Sequence, residues 1–97
     1  MPMAYWVICH RSTKSAEKFA AFTKLAYPAI LAAGGRFLVR TSKVAKNYEF
    51  GLNDRTVVIE FDNLARAMAA YETPEYKAAL RALADGAERD LRIIEGV

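Results

Sequence analysis

Cysteine and histidine are almost absent from the chain, which has one residue of each, Cys9 and His10. A single cysteine excludes an intramolecular disulfide and favours a reducing cytoplasm as the location. A zinc or non-haem iron site requires several nitrogen, sulfur or carboxylate ligands that converge, and one histidine with one cysteine does not provide them. We therefore predict no metal site, and the sequence indicates no cofactor.

The chain also lacks a long apolar segment and a strong excess of charge. No run approaches the roughly 20 apolar residues of a membrane span, and the first residues lack the basic region of a secretory signal. The net charge of +3 is compatible with an acidic ligand or nucleic acid but argues for neither. With 54% apolar and 26% charged residues, positions 1–97 are expected to form a single cytoplasmic domain away from membranes.

Short apolar runs rich in aromatic and β-branched residues predict the strands of this domain. The predicted strands are Tyr5–Cys9, Arg36–Thr41, Thr56–Phe61 and Leu91–Glu95, with a further short strand or hairpin arm at Tyr48–Phe50.

A first helix is predicted between the first two of these strands. Thr13 or Ser15 offers the N-cap, and apolar residues then recur at three- and four-residue spacing up to Gly34–Gly35, which ends the helix. Because Pro28 removes one backbone donor and clashes with the preceding turn, we expect a kink or break near Tyr27.

A second helix follows the third strand and completes the element order. It begins after Asn63 and restarts at Thr73–Pro74, where a capping residue precedes a proline. The resulting order is β-α-β-β-α-β, which predicts an α+β, ferredoxin-like fold. In this fold both helices cover one face of a four-stranded antiparallel sheet, the first and third strands are central, and the other face is bare.

The bare face is expected to be apolar and to carry arginine. If Phe37 and Val39 point toward the helices, alternation puts Leu38 and Arg40 on the bare face. Either face of the first and third strands also presents apolar side chains. Since such a surface is unfavourable in water, we predict a homodimer in which the two bare sheet faces meet.

Four segments of the chain resemble a known family of small bacterial proteins, the domain of unknown function 1330 family. The segments are GGRFLVR, RTVVIEF, YETPEYKAAL and the terminal IIEGV, and the resemblance runs from Tyr5 to Val97. It implies a ferredoxin-like fold that dimerises into the α/β-barrel arrangement of antibiotic-biosynthesis-type monooxygenases. It implies no particular reaction.

Two positions depart from the family pattern. The family has Leu-Glu-Gly where this chain has Tyr48–Gly51, so Glu49 matches but its spacing to the glycine does not. Many members also have an arginine where this chain has Leu83, with Arg81 nearby.

Arg40 and Glu49 are the first candidates for a functional site. A guanidinium in the space between two sheets must be paired or must hold an anion. Glu49 follows in the linker and would reach the mouth of that space as a partner or as a base. The alternative is an ion pair between subunits that fixes the dimer.

His10 is the second catalytic candidate, as a general base, while Trp6 and Tyr27 are candidate ligand contacts. His10 has two alternative roles, as a haem ligand or as a member of a polar network at the end of the strand. Cys9 is adjacent on the same strand, so the two side chains point to opposite faces and cannot form a nucleophile–base pair. Cys9 is expected to be a buried small residue.

Two functions are compatible with these residues. The first is a dimeric α/β barrel with a small-molecule cavity between sheet and helices, which acts as a cofactor-independent enzyme, monooxygenase- or isomerase-like. In this enzyme Arg40 holds an anionic or enolate oxygen and His10 or Glu49 moves a proton. The second is a non-catalytic dimer that binds a metabolite or a partner. Nucleic acid is not expected, because RNA-recognition modules of this topology expose aromatic residues where RTVVIEF has valine and isoleucine.

Overall fold

Four strands and three helices account for most of residues 2–97, the part of the chain that the computed structural model describes. In chain order the elements are β1 (Ala4–Thr13), α1 (Ala16–Ala32), β2 (Arg36–Thr41), β3 (Thr56–Phe61), α2 (Leu64–Tyr71), α3 (Pro74–Leu83) and β4 (Ala87–Glu95). The predicted order is confirmed, with the second helical region divided into α2 and α3. None of the helices within these residues is both long and apolar enough to cross a membrane.

The four strands form one antiparallel sheet in the order β2-β3-β1-β4. This is the ferredoxin-like arrangement, with the first and third strands in the centre. The sheet is open, because β2 and β4 form its two edges. Trp6 and Ile8 of β1, together with Val57, Ile59 and Phe61 of β3, are buried on the face that the helices cover.

Side-chain caps fix where the helices begin. Ser15 accepts a hydrogen bond from the backbone of Lys18 at the start of α1. Asn63 does the same for α2, and Thr73 does so for α3 just before Pro74. These oxygens satisfy backbone N–H groups that have no partner within the helix.

Two local predictions are wrong, and a third is wrong in part. The helix α1 runs through Pro28 as one continuous helix with buried residues on both sides of the proline, so the break predicted near Tyr27 does not occur. Tyr48–Phe50 forms a turn and not a strand, and the Gly51 N–H donates to the Tyr48 carbonyl. Cys9 is exposed, because it lies on the sheet face that the helices leave uncovered.

A β-bulge in β2 changes which residues of that strand face the helices. Phe37 is opposite Ile59, but the next residue in register, opposite Val58, is Val39, so Leu38 is the extra residue between them. An extra residue reverses the alternation of the side chains that follow it. Val39 therefore joins the open face of the sheet, and Arg40 faces the helices. The prediction that Arg40 points to the bare face is wrong for this reason.

Trp6 lies deep in the core between β1 and the helices. It is 0% exposed, its indole N–H donates to the Ala67 carbonyl at 2.8 Å, and its ring packs against those of Phe61, Tyr71 and Tyr76. These contacts tie α2 and α3 to the centre of the sheet. A buried indole whose N–H is satisfied by backbone is a structural residue.

Candidate functional site

A cavity lies between α1 and the helix-covered face of the sheet. The volume of this cavity is about 40 Å³. Its walls are mostly apolar and come from β1, α1 and β3, namely Ile8, Phe22, Ala26, Ile30, Val57 and Ile59. The cavity adjoins a groove on the protein surface, and Phe19, Thr23, Arg40 and Arg55 line both. The cavity is therefore close to solvent at these four residues.

His10 is a buried polar residue in this wall. It is 2% exposed, its Nδ1 is 3.3 Å from the Thr13 hydroxyl, and its ring meets that of Phe19 edge-on. Burial lowers the pKa of His10 below its ordinary value, and the positive charge of Arg89 lowers it further. Asp54 opposes this shift and Arg55 reinforces it. A lowered pKa favours the neutral imidazole at pH 7, in which one ring nitrogen carries a lone pair.

Arg40 stacks on aromatic rings where the cavity meets the groove. Its guanidinium carbon is 4.4 Å from the ring centroid of Tyr27 and 5.5 Å from that of Phe37, and these two rings are themselves stacked. Such contacts stabilise a cation through the negative face of the ring. They leave the N–H edge of the guanidinium free to donate hydrogen bonds.

Arg55 and Arg89 bring two further guanidinium groups to the same cavity. Arg55 lies over the ring of Phe19 at 5.4 Å, immediately before β3. Arg89 lies over Phe22 at 4.6 Å and donates to the hydroxyl of Tyr76 at 3.3 Å. In the β1–β4 register Arg89 is directly opposite His10, so both side chains point toward α1.

None of these three arginines takes part in the ion pairs formed among residues 2–97. By contrast, Arg36 on the open face pairs with Glu60 at 3.1 Å and Asp62 at 3.0 Å. Arg40 and Arg55 line the same cavity and the same groove. Burial lowers the pKa of Arg55, and the positive charge of Arg40 lowers it further. The cavity thus combines apolar walls with an excess of positive charge.

A sequence profile of the family described as Domain of unknown function (DUF1330) matches residues 3–97. The chain belongs to this family. The match confirms the resemblance carried by the GGRFLVR and YETPEYKAAL segments. No curated protein matches this DUF1330 protein.

Solved structures with low sequence identity share the fold of this DUF1330 protein. The RPA0582 protein of unknown function from Rhodopseudomonas palustris aligns with a TM-score of 0.74 and 15% identity, over 99% of this chain and 83% of that one. A proposed antibiotic biosynthesis monooxygenase from Nitrosomonas europaea aligns with a TM-score of 0.62 and 15% identity, over 98% of this chain and 90% of that one. A dimeric ferredoxin-like protein of unknown function from Thermobifida fusca aligns with a TM-score of 0.59 and 20% identity, over 98% of this chain and 92% of that one.

The structure brings three of the five predicted site residues of this DUF1330 protein together. His10, Tyr27 and Arg40 all line the cavity, although it lies on the helix side of the sheet and not in the space between two sheets. Trp6 does not line it, because the residue is enclosed in the core. Glu49 is exposed in the turn after β2, and no ion pair joins it to Arg40 within residues 2–97.

Sequence reasoning missed Arg55 and Arg89. Arg89 lies before the predicted strand Leu91–Glu95, whereas β4 begins at Ala87. Pairing that longer strand with β1 would have put Arg89 beside His10 on the helix side. Arg55 precedes β3 in an irregular segment, where alternation gives no information on direction.

We expect His10 to make the stability of the protein depend on pH between about 5.5 and 7. Because the pKa of His10 is lower in the folded protein than in the unfolded chain, the unfolded chain binds a proton first as pH falls. The free energy of unfolding should therefore decrease below pH 6.5, by at most about 1.4 kcal/mol per pH unit for one proton. Urea denaturation at pH 7.5, 6.5 and 5.5 measures this decrease.

His10→Gln is the matched variant, since glutamine keeps hydrogen-bonding capacity without titrating. It should give a smaller decrease than the wild type over the same range. Asp85, Glu88 and Asp90, whose pKa values are lowered by neighbouring cations, should lose their contributions only in more acidic solution. An equal decrease in both proteins would show that His10 is not the titrating group.

Proposed function

We propose that this DUF1330 protein is a homodimer in which each subunit binds a small organic molecule in the cavity between α1 and the sheet. The cavity itself is the observation that carries the proposal. Protein interiors are close-packed, and unfilled space next to a buried polar group is unusual. Here the space contacts His10, has apolar walls and adjoins a surface groove, which are the properties of a ligand pocket.

The homodimer is supported by the open face of the sheet. Leu38, Val39 and Ile94 are 54%, 39% and 48% exposed, although they belong to regular strands. Val7 and Val58 pair at the centre of the same face and are half-buried without cover from a helix. An apolar surface of this kind favours association. The T. fusca protein of the same fold is itself described as dimeric, and two such sheets packed together would give the dimeric α/β barrel.

Closing the entrance to the cavity tests the binding proposal. Thr23→Phe places a ring at the junction of cavity and groove, where Thr23 is half-buried and lines both. Compounds of two to six carbons that shift the backbone NMR signals of Ile8, Ala26 and Val57 in the wild type should no longer do so. Ala21→Phe, which adds the same ring to an exposed position of α1 that does not line the cavity, is the control. Binding that survives Thr23→Phe would contradict a ligand in this cavity.

Light scattering on a sizing column tests the homodimer. We expect a mass of about twice 10.8 kDa at two protein concentrations. Val58→Asp introduces a charge at the centre of the open face and should yield a monomer. Leu25→Asp introduces the same charge at an exposed leucine of α1 and should leave the mass unchanged. A wild-type mass near 10.8 kDa would overturn the dimer.

A second candidate function is proton transfer, favoured by the buried neutral imidazole beside guanidinium groups. In this reaction a nitrogen lone pair of His10 takes a proton from the carbon next to the carbonyl of a bound oxo compound. The C–H electrons move onto the carbonyl oxygen, where a guanidinium stabilises the enolate, and the proton returns to the same or another carbon. This is isomerase-like chemistry and requires no cofactor. Glu49 lies outside the cavity lining of its own subunit, which favours His10 as the base.

Deuterium exchange distinguishes catalysis from binding alone. In D₂O at pD 7.5 the wild type should accelerate loss of the C3 proton signals of 2-oxobutyrate beyond the rate with buffer. His10→Gln should lower this acceleration by at least about a hundredfold, in line with the usual contribution of a general base, while 2-oxobutyrate still shifts the cavity signals. Exchange that persists in His10→Gln would remove His10 from this role.

A further inference from the structure

The size of the cavity limits the part of a ligand that it can hold. A dry cavity of about 150 Å³ holds benzene, whereas a cavity of roughly 10–15 Å³ is enough for one water molecule. About 40 Å³ therefore takes roughly three groups of the size of water. An aromatic ring would require the side chains around it to move, but a short aliphatic chain would not.

The positive charge at the cavity mouth indicates the chemistry of the other part of the ligand. Arg40 and Arg55 line both the cavity and the groove, and neither has an acidic partner among residues 2–97. Lys24 adds a third cation to the groove wall. Since two guanidinium groups near one another repel, an anion held between them would relieve the repulsion and accept charge-assisted hydrogen bonds from both.

The aromatic contacts of the two arginines orient them for such an anion. Arg40 is stacked on Tyr27, and Arg55 lies over Phe19. A guanidinium that lies over a ring keeps its N–H groups to donate hydrogen bonds, two of which a single anion can accept. Arg55 is only partly exposed, so the anion must lose water to reach it. A carboxylate with a single charge loses water at lower cost than a doubly charged phosphate.

We propose that the ligand is a short-chain carboxylic acid, whose aliphatic body fills the cavity and whose carboxylate binds between Arg40 and Arg55. This assignment rests on the proposed function and defines the ligand class for the same cavity. It also gives the three residues distinct roles. Arg40 and Arg55 bind the acid group, whereas His10 faces the body of the ligand.

The test compares an acid with its neutral isostere. Butyrate and butyramide have the same length and shape, and differ in the charge of the head group. Each is titrated into the wild type while the backbone NMR signals of Ile8, Ala26 and Val57 are followed. Butyrate should bind at least about tenfold more tightly than butyramide, the usual contribution of a charge-assisted hydrogen bond. The difference should shrink as salt concentration rises.

Arg55→Gln should weaken butyrate binding by at least about tenfold and leave butyramide binding unchanged. Arg40→Gln should have the same effect, and it replaces the first variant if Arg55→Gln does not fold. Arg81→Gln removes an equal charge from an exposed position on α3 outside the cavity lining. It should leave both affinities unchanged.

Other outcomes identify which idea fails. If butyramide binds as tightly as butyrate, or if both arginine variants bind butyrate normally, the carboxylate assignment is wrong while the pocket stands. Tighter binding of propyl phosphate would overturn the choice of carboxylate, and tighter binding of benzoate would overturn the size limit. If none of these probes shifts the cavity signals, both this assignment and the proposed pocket fail.

Discussion

The extra residue in β2 determines which face of the sheet carries the charge of Arg40. Because Leu38 is inserted between the residues opposite Ile59 and Val58, the strand reverses its alternation and turns Arg40 toward α1. In a regular strand, the guanidinium of Arg40 would be on the opposite face of the sheet from His10. The stack on Tyr27 and the closeness to Arg55 both follow from this irregularity. The electropositive mouth of the cavity is therefore a consequence of backbone geometry as well as of composition.

Three arginines line an apolar cavity without forming ion pairs within the described residues. Each guanidinium instead lies over an aromatic ring, of Tyr27, Phe19 or Phe22. These contacts stabilise the cations, of which Arg40 is exposed to water whereas Arg55 and Arg89 are half-buried. The same rings line the cavity, so the features that hold the arginines in place also shape the space between them. Charge and cavity are consequently one structural unit.

The architecture was accessible from sequence, whereas the direction of individual side chains was less so. Caps at Asn63 and Thr73 and the two apolar central strands gave the element order, because these signals are local. The bulge at Leu38 arises from how β2 pairs with β3, which no local pattern reports, and it reversed the expected direction of Arg40. Trp6 was ambiguous because its strand is apolar on both faces, so alternation alone could not choose between core and open surface. Arg89 was missed because β4 begins at Ala87, before the apolar residues from which the strand was predicted.

Alternation along the central strands puts the cavity wall and the exposed apolar surface on opposite faces of the sheet. Val57 lines the cavity, while the next residue, Val58, is on the open face. His10 and Cys9 are related in the same way on β1. Since neighbouring residues contact different surfaces, a substitution on the open face adds or removes no atom of the cavity wall. The proposed binding and the proposed dimerisation can thus be tested separately, although the residues involved are adjacent in sequence and belong to the same two strands.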